Sequence, residues 1–425
     1  MKGNNMEDTK KSVTLSFGVT FIALLLAVVV GFNPEFSWLV LIAILLTLTA
    51  SCLFRKRYTD GALVLCRILV GLLFVFSSFV KGVDPLGTQY KMYDYFIAYG
   101  IEGMGDMALP LAVFMILAEF LVGACLIVNV LPRLAVLGAS LLMLFFTITT
   151  FFDAMFDLVP DCGCFGTAIK MSNWQTFFKN LIIDSVLIPL IFNNKSLKNK
   201  EFGFVKQIVA AVVLAALFLG FEIYNIRHLP VIDFMEWKVG NDMSPKENTA
   251  SADIYLTYKN KITGETKEYL SPNYPWNDSV WMSEWEFVSQ RVDGDQNTFG
   301  FSILDAYGDD YTHVLFDSDN LLVLVAPYIN EFDAKDYVNC ERIVDLARAN
   351  GLDYIWITSE NSKFIDSLYR HYDVLDEVYY GDELELKTMV RSCPGLMLMK
   401  NGVVVDKWSK IDFPSEKRVL KLVSE

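Results

Sequence analysis

The sequence predicts two parts: a membrane all-α helical bundle of about seven spans, then a soluble α/β domain. Three observations carry this. Seven apolar stretches approach or exceed the roughly 20 helical residues needed to cross hydrocarbon. The charge is split: residues 1–229 hold 17 bases and 15 acids, net +2, and the remaining 19 bases and 35 acids leave residues 230–425 at net −16. Beyond about residue 298, short apolar runs alternate with segments of helical periodicity, as in a parallel sheet covered by helices. At 425 residues, 53% hydrophobic and net −14, the chain is neither one soluble globule nor disordered. The excess of acids argues against nucleic acid as a partner, because phosphate binding needs clustered Lys and Arg.

The spans fall at about 12–32, 36–54, 62–80, 109–131, 134–152, 174–192 and 206–224. A cleaved signal peptide is the alternative for the first. No A-x-A-like cleavage site follows it and a second span comes at once, so it is kept as a helix. Residues 1–60 then form a transmembrane hairpin, 61–195 a four-helix core with two long loops, 196–229 the last span and a linker, and 230–425 the soluble domain. Lys and Arg in short loops set the orientation. One side collects Lys2, Lys10, Lys11, Arg55, Lys56, Arg57, Arg133, Lys195, Lys198, Lys200 and Lys206; the other collects Lys81, Lys91, Lys170, Lys179 and Arg227. This places the amino terminus in the cytoplasm and, with an odd number of spans, the acidic half outside. In a Gram-negative cell that is a multi-pass inner-membrane protein with a periplasmic carboxyl-terminal domain.

Charged residues inside spans are costly and usually have a partner or a task. Glu119 and Asp184 lie near the middle of the fourth and sixth spans, and Arg67 a little over one turn inside the third. They read either as a buried ionic cluster coupled to proton movement or quinone contact, or as structural pairings with Arg67 partly snorkelling.

The cysteines carry the sharpest signal. Cys52, Cys66 and Cys125 lie in spans and read as small apolar packing residues. Cys162 and Cys164 form a C-G-C triplet in the loop 153–173, DAMFDLVPDCGCFGTAIKMSN. Two thiols with no nearby His are too few for structural zinc, and no metal site is predicted. A disulfide between residues two apart closes a small strained ring, which is easily reduced. Gly163 permits unusual backbone angles there. The pair reads as an exchangeable catalytic dithiol or, alternatively, as a static clip or two thiols packed apart. No cofactor motif is evident; a quinone is compatible as terminal electron acceptor, although no residue identifies one.

Residues 60–195 resemble the DoxX/MauE family of redox-associated integral membrane proteins. The match is carried by GLLFVFSSFVKGVDPLG, with Lys81, Asp84, Pro85 and Gly87, by DCGCFG, with Asp161, Cys162, Gly163, Cys164, Phe165 and Gly166, and by WQTFFKN at 174–180. The resemblance implies a role in periplasmic disulfide metabolism or in maturation of a partner protein. Lys81 or Lys170 would help to stabilise a thiolate if the loops fold together.

In the acidic half, DIYLTYKNKITGETKEYL (253–270) alternates apolar and polar residues around a turn and reads as a β-hairpin. The aromatic stretch after it, with Trp281 and Trp285, reads as core packing. LLVLVAPY (321–328) reads as a buried strand, 334–350 as a helix stopped by Gly351, 354–359 as a strand and 361–371 as a short helix. Residues 391–408 read as a loop, a strand, an Asn-Gly turn and another strand, and 414–423 as a final helix. This order is similar to thioredoxin-like domains over roughly 300–425, with Pro394 at the place of that family's cis-proline. The family's Cys-x-x-Cys is replaced here by APYINEFD, without cysteine. Cys393, just before Pro394, would lie near where a substrate thiol docks in that family, as an inert leftover or a single-thiol contact; Cys340 is expected to be buried. The leading function is an inner-membrane thiol-redox accessory protein exchanging disulfides with a periplasmic protein. The alternative is a non-catalytic scaffold that binds a periplasmic partner and other membrane proteins.

Overall fold

A computed structural model describes residues 59–159, 163–166, 168–169, 171–194, 197, 202–244, 253–270, 274–275, 278–293, 301–369, 375–424 and five helical positions between 42 and 49. The chain forms two compact units, Met1–Ile226 and Arg227–Glu425. In the first, five helices among the described residues are long and apolar enough to cross a membrane. They are α1 (Asp60–Val83), α3 (Ala108–Ile127, extended by a 3-10 turn over Glu102–Met107), α4 (Pro132–Phe156), α5 (Asn173–Phe192) and α6 (Phe204–Arg227); the shorter α2 (Pro85–Ala98) lies between α1 and α3. The span expected at 12–32 and most of that at 36–54 lie outside the described residues, although Ile44 is fully buried in the core of this unit.

Local chemistry explains the boundaries. Thr59 caps α1, its hydroxyl accepting from the Ala62 N–H at 3.2 Å, and Asp60 sits in the first turn where the helix dipole favours an anion. Asp84 caps α2 by accepting from Gly87 N–H at 3.0 Å, with Pro85 preset for the first helical position. Pro132 opens α4, and Asp157 ends it in the left-handed region at φ 47°. Ser172 and Gln175 form a reciprocal capping box on α5. The α1–α3 crossing is set by glycine. A Cβ on Gly71 would come 2.8 Å from the Gly123 carbonyl oxygen, and one on Gly123 would come 2.9 Å from the Gly71 carbonyl oxygen. Small residues let the two backbones approach closely, as in other membrane helix pairs. On α6 the buried residues Gln207, Ala211, Phe218, Glu222 and Asn225 recur at helical spacing on one stripe. Phe218 stacks on Phe120 of α3 at 3.8 Å, and Asn225 Nδ2 donates to the Gly82 carbonyl of α1 at 3.1 Å.

The described residues of the second unit form two sheets. In the smaller, β1 (Asp253–Asn260) lies between β2 (Thr266–Leu270) and β3 (Trp285–Asp293), all antiparallel, with a short helix α7 (Ser279–Glu284) before β3. The hairpin expected at 253–270 is β1 and β2; β3 was not foreseen. Its aromatic cluster is a core: Trp281 lies 4.7 Å from Tyr258 and 5.6 Å from Tyr269, ring to ring, and donates to the Tyr269 hydroxyl.

The larger sheet follows α8 (Val314–Asp317). It is built from β4 (Leu321–Val325), β5 (Asp353–Thr358), β6 (Val378–Tyr380), β7 (Gly395–Lys400) and β8 (Val403–Ser409), in the order β6-β5-β4-β7-β8. β4, β5 and β6 run parallel, and β7 and β8 antiparallel to their neighbours. Helices α9 (Ala334–Asn350), α10 (Ser362–Tyr369), α11 (Glu383–Met389) and α12 (Glu416–Ser424) complete this unit. β4 is buried along its whole length. Alternation sends Leu322 and Leu324 into a core with Ile343, Val344 and Ala347 of α9, and Leu321, Val323 and Val325 into another with Trp237 and Phe301. The helix expected at 334–350 begins at a reciprocal Asp333–Asp336 capping box and ends at Gly351 in the left-handed conformation.

Candidate functional site

The loop that joins α4 to α5 carries the C-G-C triplet. Cys162 and Asp161 lie outside the described residues, as does Lys170. Gly163 (φ 61°) and Gly166 (φ 53°) both take left-handed angles, and the Gly166 N–H donates to the Gly163 carbonyl at 2.8 Å. Glycine is needed at these corners because a side chain there is strained. The turn presses Phe165 into the bundle, where it is buried with its ring 5.6 Å from that of Phe76. Gly166 packs on Val80 and Lys81 of α1. Cys164, between them, is half-buried.

Beneath the loop, Lys81 Nζ and Glu119 Oε2 form an ion pair at 2.5 Å, both side chains only 4% exposed. Ser77, one turn before Lys81, joins this pair to the loop. Its hydroxyl donates to the Cys164 carbonyl at 2.8 Å and lies 3.4 Å from Glu119 Oε2. A hydroxyl has one proton, and the shorter contact takes it. Lys81 also faces the Phe146 ring at 5.6 Å. On the other side of the loop, buried Lys179 of α5 places its Nζ 4.8 Å from the Phe165 ring centroid. Of these two buried lysines, Lys81 is paired with Glu119 and Lys179 faces the Phe165 ring of the CGCFG turn. Lys81 and Lys179, counted from sequence as loop cations, are bundle residues; removing them from that side leaves the Lys and Arg asymmetry in the same direction.

Arg67, Glu119 and Asp184 do not form one cluster among the described residues. Glu119 belongs to Lys81. Asp184 Oδ2 accepts from the Thr147 hydroxyl at 2.8 Å. Arg67 is buried, and its Nη1 has no hydrogen-bond partner among the described residues. Asp84 serves as the α2 cap. Cys66 and Cys125 are buried in the bundle core.

In the second unit, the Cys393–Pro394 peptide bond is cis. The Cys393 thiol donates to the Tyr328 carbonyl at 3.3 Å, in the APYINEFD segment between β4 and α9. Ser392 Oγ accepts from the Lys410 N–H at 2.9 Å, and Lys410 Nζ pairs with Asp336 at 3.1 Å. Cys340 is fully buried on α9; burial first, then the nearby Asp336 and Cys393, push its thiol well above the usual range. Among the described residues no three His, Cys, Asp or Glu side chains group as metal donors.

Sequence reasoning missed several residues. Ser77 is hidden in an apolar run, and its only signal was a serine pair inside a span. Glu222 of α6 is fully buried, and both its carboxyl oxygens lack a hydrogen-bond partner among the described residues; a charge inside a span was the available signal. Tyr95, Asp153 and Asn173 assemble only through tertiary contacts.

The family model of methylamine utilisation protein MauE matches residues 59–192, under a third of the 425-residue chain. That range runs from the cap of α1 to the end of α5 and contains every contact of the loop site described above. With the five apolar helices, it describes a MauE-like membrane protein. Comparison with curated proteins and with solved structures finds no match.

Proposed function

We propose that this chain is a thiol-redox accessory protein of the bacterial inner membrane, in which Cys162 and Cys164 exchange disulfides with a periplasmic protein. One observation carries the reading. The cysteine turn is pinned by Ser77 onto the Lys81–Glu119 pair and flanked by Lys179, inside the segment that resembles MauE. In the exchange, one thiolate attacks a sulfur of the partner's disulfide and the partner's other sulfur leaves as thiolate. The second cysteine then attacks the mixed disulfide, leaving the C-G-C pair oxidised and the partner reduced. The reverse sequence oxidises the partner. A chain that withdraws electrons this way needs an acceptor soluble in the bilayer, and a quinone meets that requirement. The acidic second unit is read as a thioredoxin-like module that holds the partner, with Cys393 and Pro394 at the docking edge.

Substituting Cys162 and Cys164 together by Ser tests the reading. The expected result is a changed thiol profile among periplasmic proteins; an unchanged profile overturns it. A second reading, a non-catalytic scaffold, is favoured by the cysteine-free β4–α9 junction, where Asp336 and Lys410 pair. A stoichiometric complex that survives mild detergent and the double Cys substitution, without any change in thiol profile, would select the scaffold.

A further inference from the structure

At the root of the cysteine loop, two buried side-chain oxygens have no hydrogen-bond partner among the described residues. Asp153, in the last turn of α4, is fully buried. Its Oδ2 accepts from the Tyr95 hydroxyl at 2.5 Å, while Oδ1 has no hydrogen-bond partner among the described residues. Asn173, the first residue of α5, is 7% exposed. Its amide nitrogen sits among three oxygens: the Val159 carbonyl at 3.0 Å, the Asp153 carbonyl at 3.4 Å and Asp157 Oδ1 at 3.4 Å. Its amide oxygen, like Asp153 Oδ1, has no hydrogen-bond partner among the described residues. A buried acceptor left unmet is destabilising, and more so when it is charged. Among the described residues, the donors to this cluster are the Tyr95 phenol, the Asn173 amide and the Asp157 N–H, which meets the Asp153 carbonyl at 2.9 Å. The oxygens are two carboxylates, two backbone carbonyls and an amide.

Such a surplus of acceptors calls for a positive species. Carboxylate, amide and carbonyl oxygens without nitrogen or sulfur are the ligands of hard cations, and Ca²⁺ uses this mixture. Two carboxylates balance its charge. A half-turn of the Asn173 amide would exchange its nitrogen for its oxygen at the ring of three acceptors, and add a ligand where a donor now stands. We propose that the loop root binds a divalent hard cation, Ca²⁺ by its ligand chemistry, through Asp153, Asp157, Asn173 and the Val159 carbonyl. The ion would clasp the end of α4 to the start of α5 and so fix both ends of the loop that carries the cysteines. This stands whether or not those cysteines exchange electrons.

The test uses the full chain in detergent micelles with Tb³⁺ as the probe. Trp174, next to Asn173, is placed to sensitise its emission. The account predicts saturable emission that Ca²⁺ displaces. It also predicts binding weaker by roughly tenfold or more in Asp157→Asn. Asp157 is solvent-exposed and in the left-handed region, which Asn tolerates, so this variant should keep the fold. Trp174→Phe should lose emission yet keep the Ca²⁺-dependent rise in melting temperature. Emission that Ca²⁺ fails to displace, or equal titrations for the native chain and Asp157→Asn, would overturn the proposal. So would a melting temperature indifferent to Ca²⁺, the result expected if a proton on Asp153 satisfies the cluster instead.

Discussion

Replacing Glu119 by Met removes a buried carboxylate and leaves the Lys81 ammonium, 4% exposed, without its counter-ion. Breaking a buried pair from one side costs about 3–5 kcal/mol, because the surviving charge stays desolvated. The Phe146 ring at 5.6 Å retains part of the compensation, about 0.5–2 kcal/mol. The net loss for Glu119→Met should therefore be about 1–4.5 kcal/mol. Lys81→Met should cost a similar amount by stranding Glu119. The double variant removes both charges, keeps apolar volume, and should fall within about 1 kcal/mol of the native chain. The assay is reversible unfolding in mixed micelles, titrated with a denaturing detergent and followed by helix signal. Single losses that simply add in the double variant, leaving a coupling below about 0.5 kcal/mol, would refute the buried pair.

Three further outcomes follow from the contacts. Ser77→Ala removes the hydrogen bond to the Cys164 carbonyl; it should cost about 1 kcal/mol and speed maleimide labelling of the cysteine loop, and unchanged labelling would contradict the pinning. Gly123→Ala places a Cβ 2.9 Å from the Gly71 carbonyl oxygen and 2.8 Å from Phe74 Cβ; forcing α1 and α3 apart should cost about 1–3 kcal/mol, read as a lower unfolding midpoint in the same titration. Cys340 has a thiol pushed up by burial, so the folded state holds it protonated. Its contribution is complete below the unfolded thiol's pKa, about 8.5, and is lost as pH rises beyond it. Native Cys340 should resist alkylation at neutral pH, and Cys340→Ala should flatten the alkaline fall in stability; rapid labelling of the folded chain would contradict this.

Much of the architecture was legible because it rests on long periodic signals. Five spans announced themselves by unbroken apolar length, and α9 by helical spacing between Asp333 and Gly351. The connection between the third and fourth spans was visible as one of two long loops, yet its Tyr- and Gly-rich composition hid α2. β3 was obscured because Trp281 and Trp285 read as side-chain packing rather than as a strand start, and β6 is only three residues long. At the site, the C-G-C triplet was visible from sequence, whereas the residues beneath it were not. Lys81 and Lys179 looked like loop cations, because hydropathy cannot tell a charge at a helix end from one folded inward against Glu119 or Phe165. Pairing Arg67, Glu119 and Asp184 by depth alone overlooked the Thr147 hydroxyl and Lys81, which meet the two carboxylates from neighbouring helices.

The most direct measurement is the redox state of Cys162 and Cys164 in native membranes, by differential alkylation and mass spectrometry across a series of thiol–disulfide buffers. The account predicts that the pair cycles between dithiol and disulfide as a unit, and that Cys164→Ser or Cys162→Ser accumulates a mixed disulfide with a periplasmic protein. Two thiols that remain reduced in every buffer, with no mixed disulfide trapped by either variant, would contradict it.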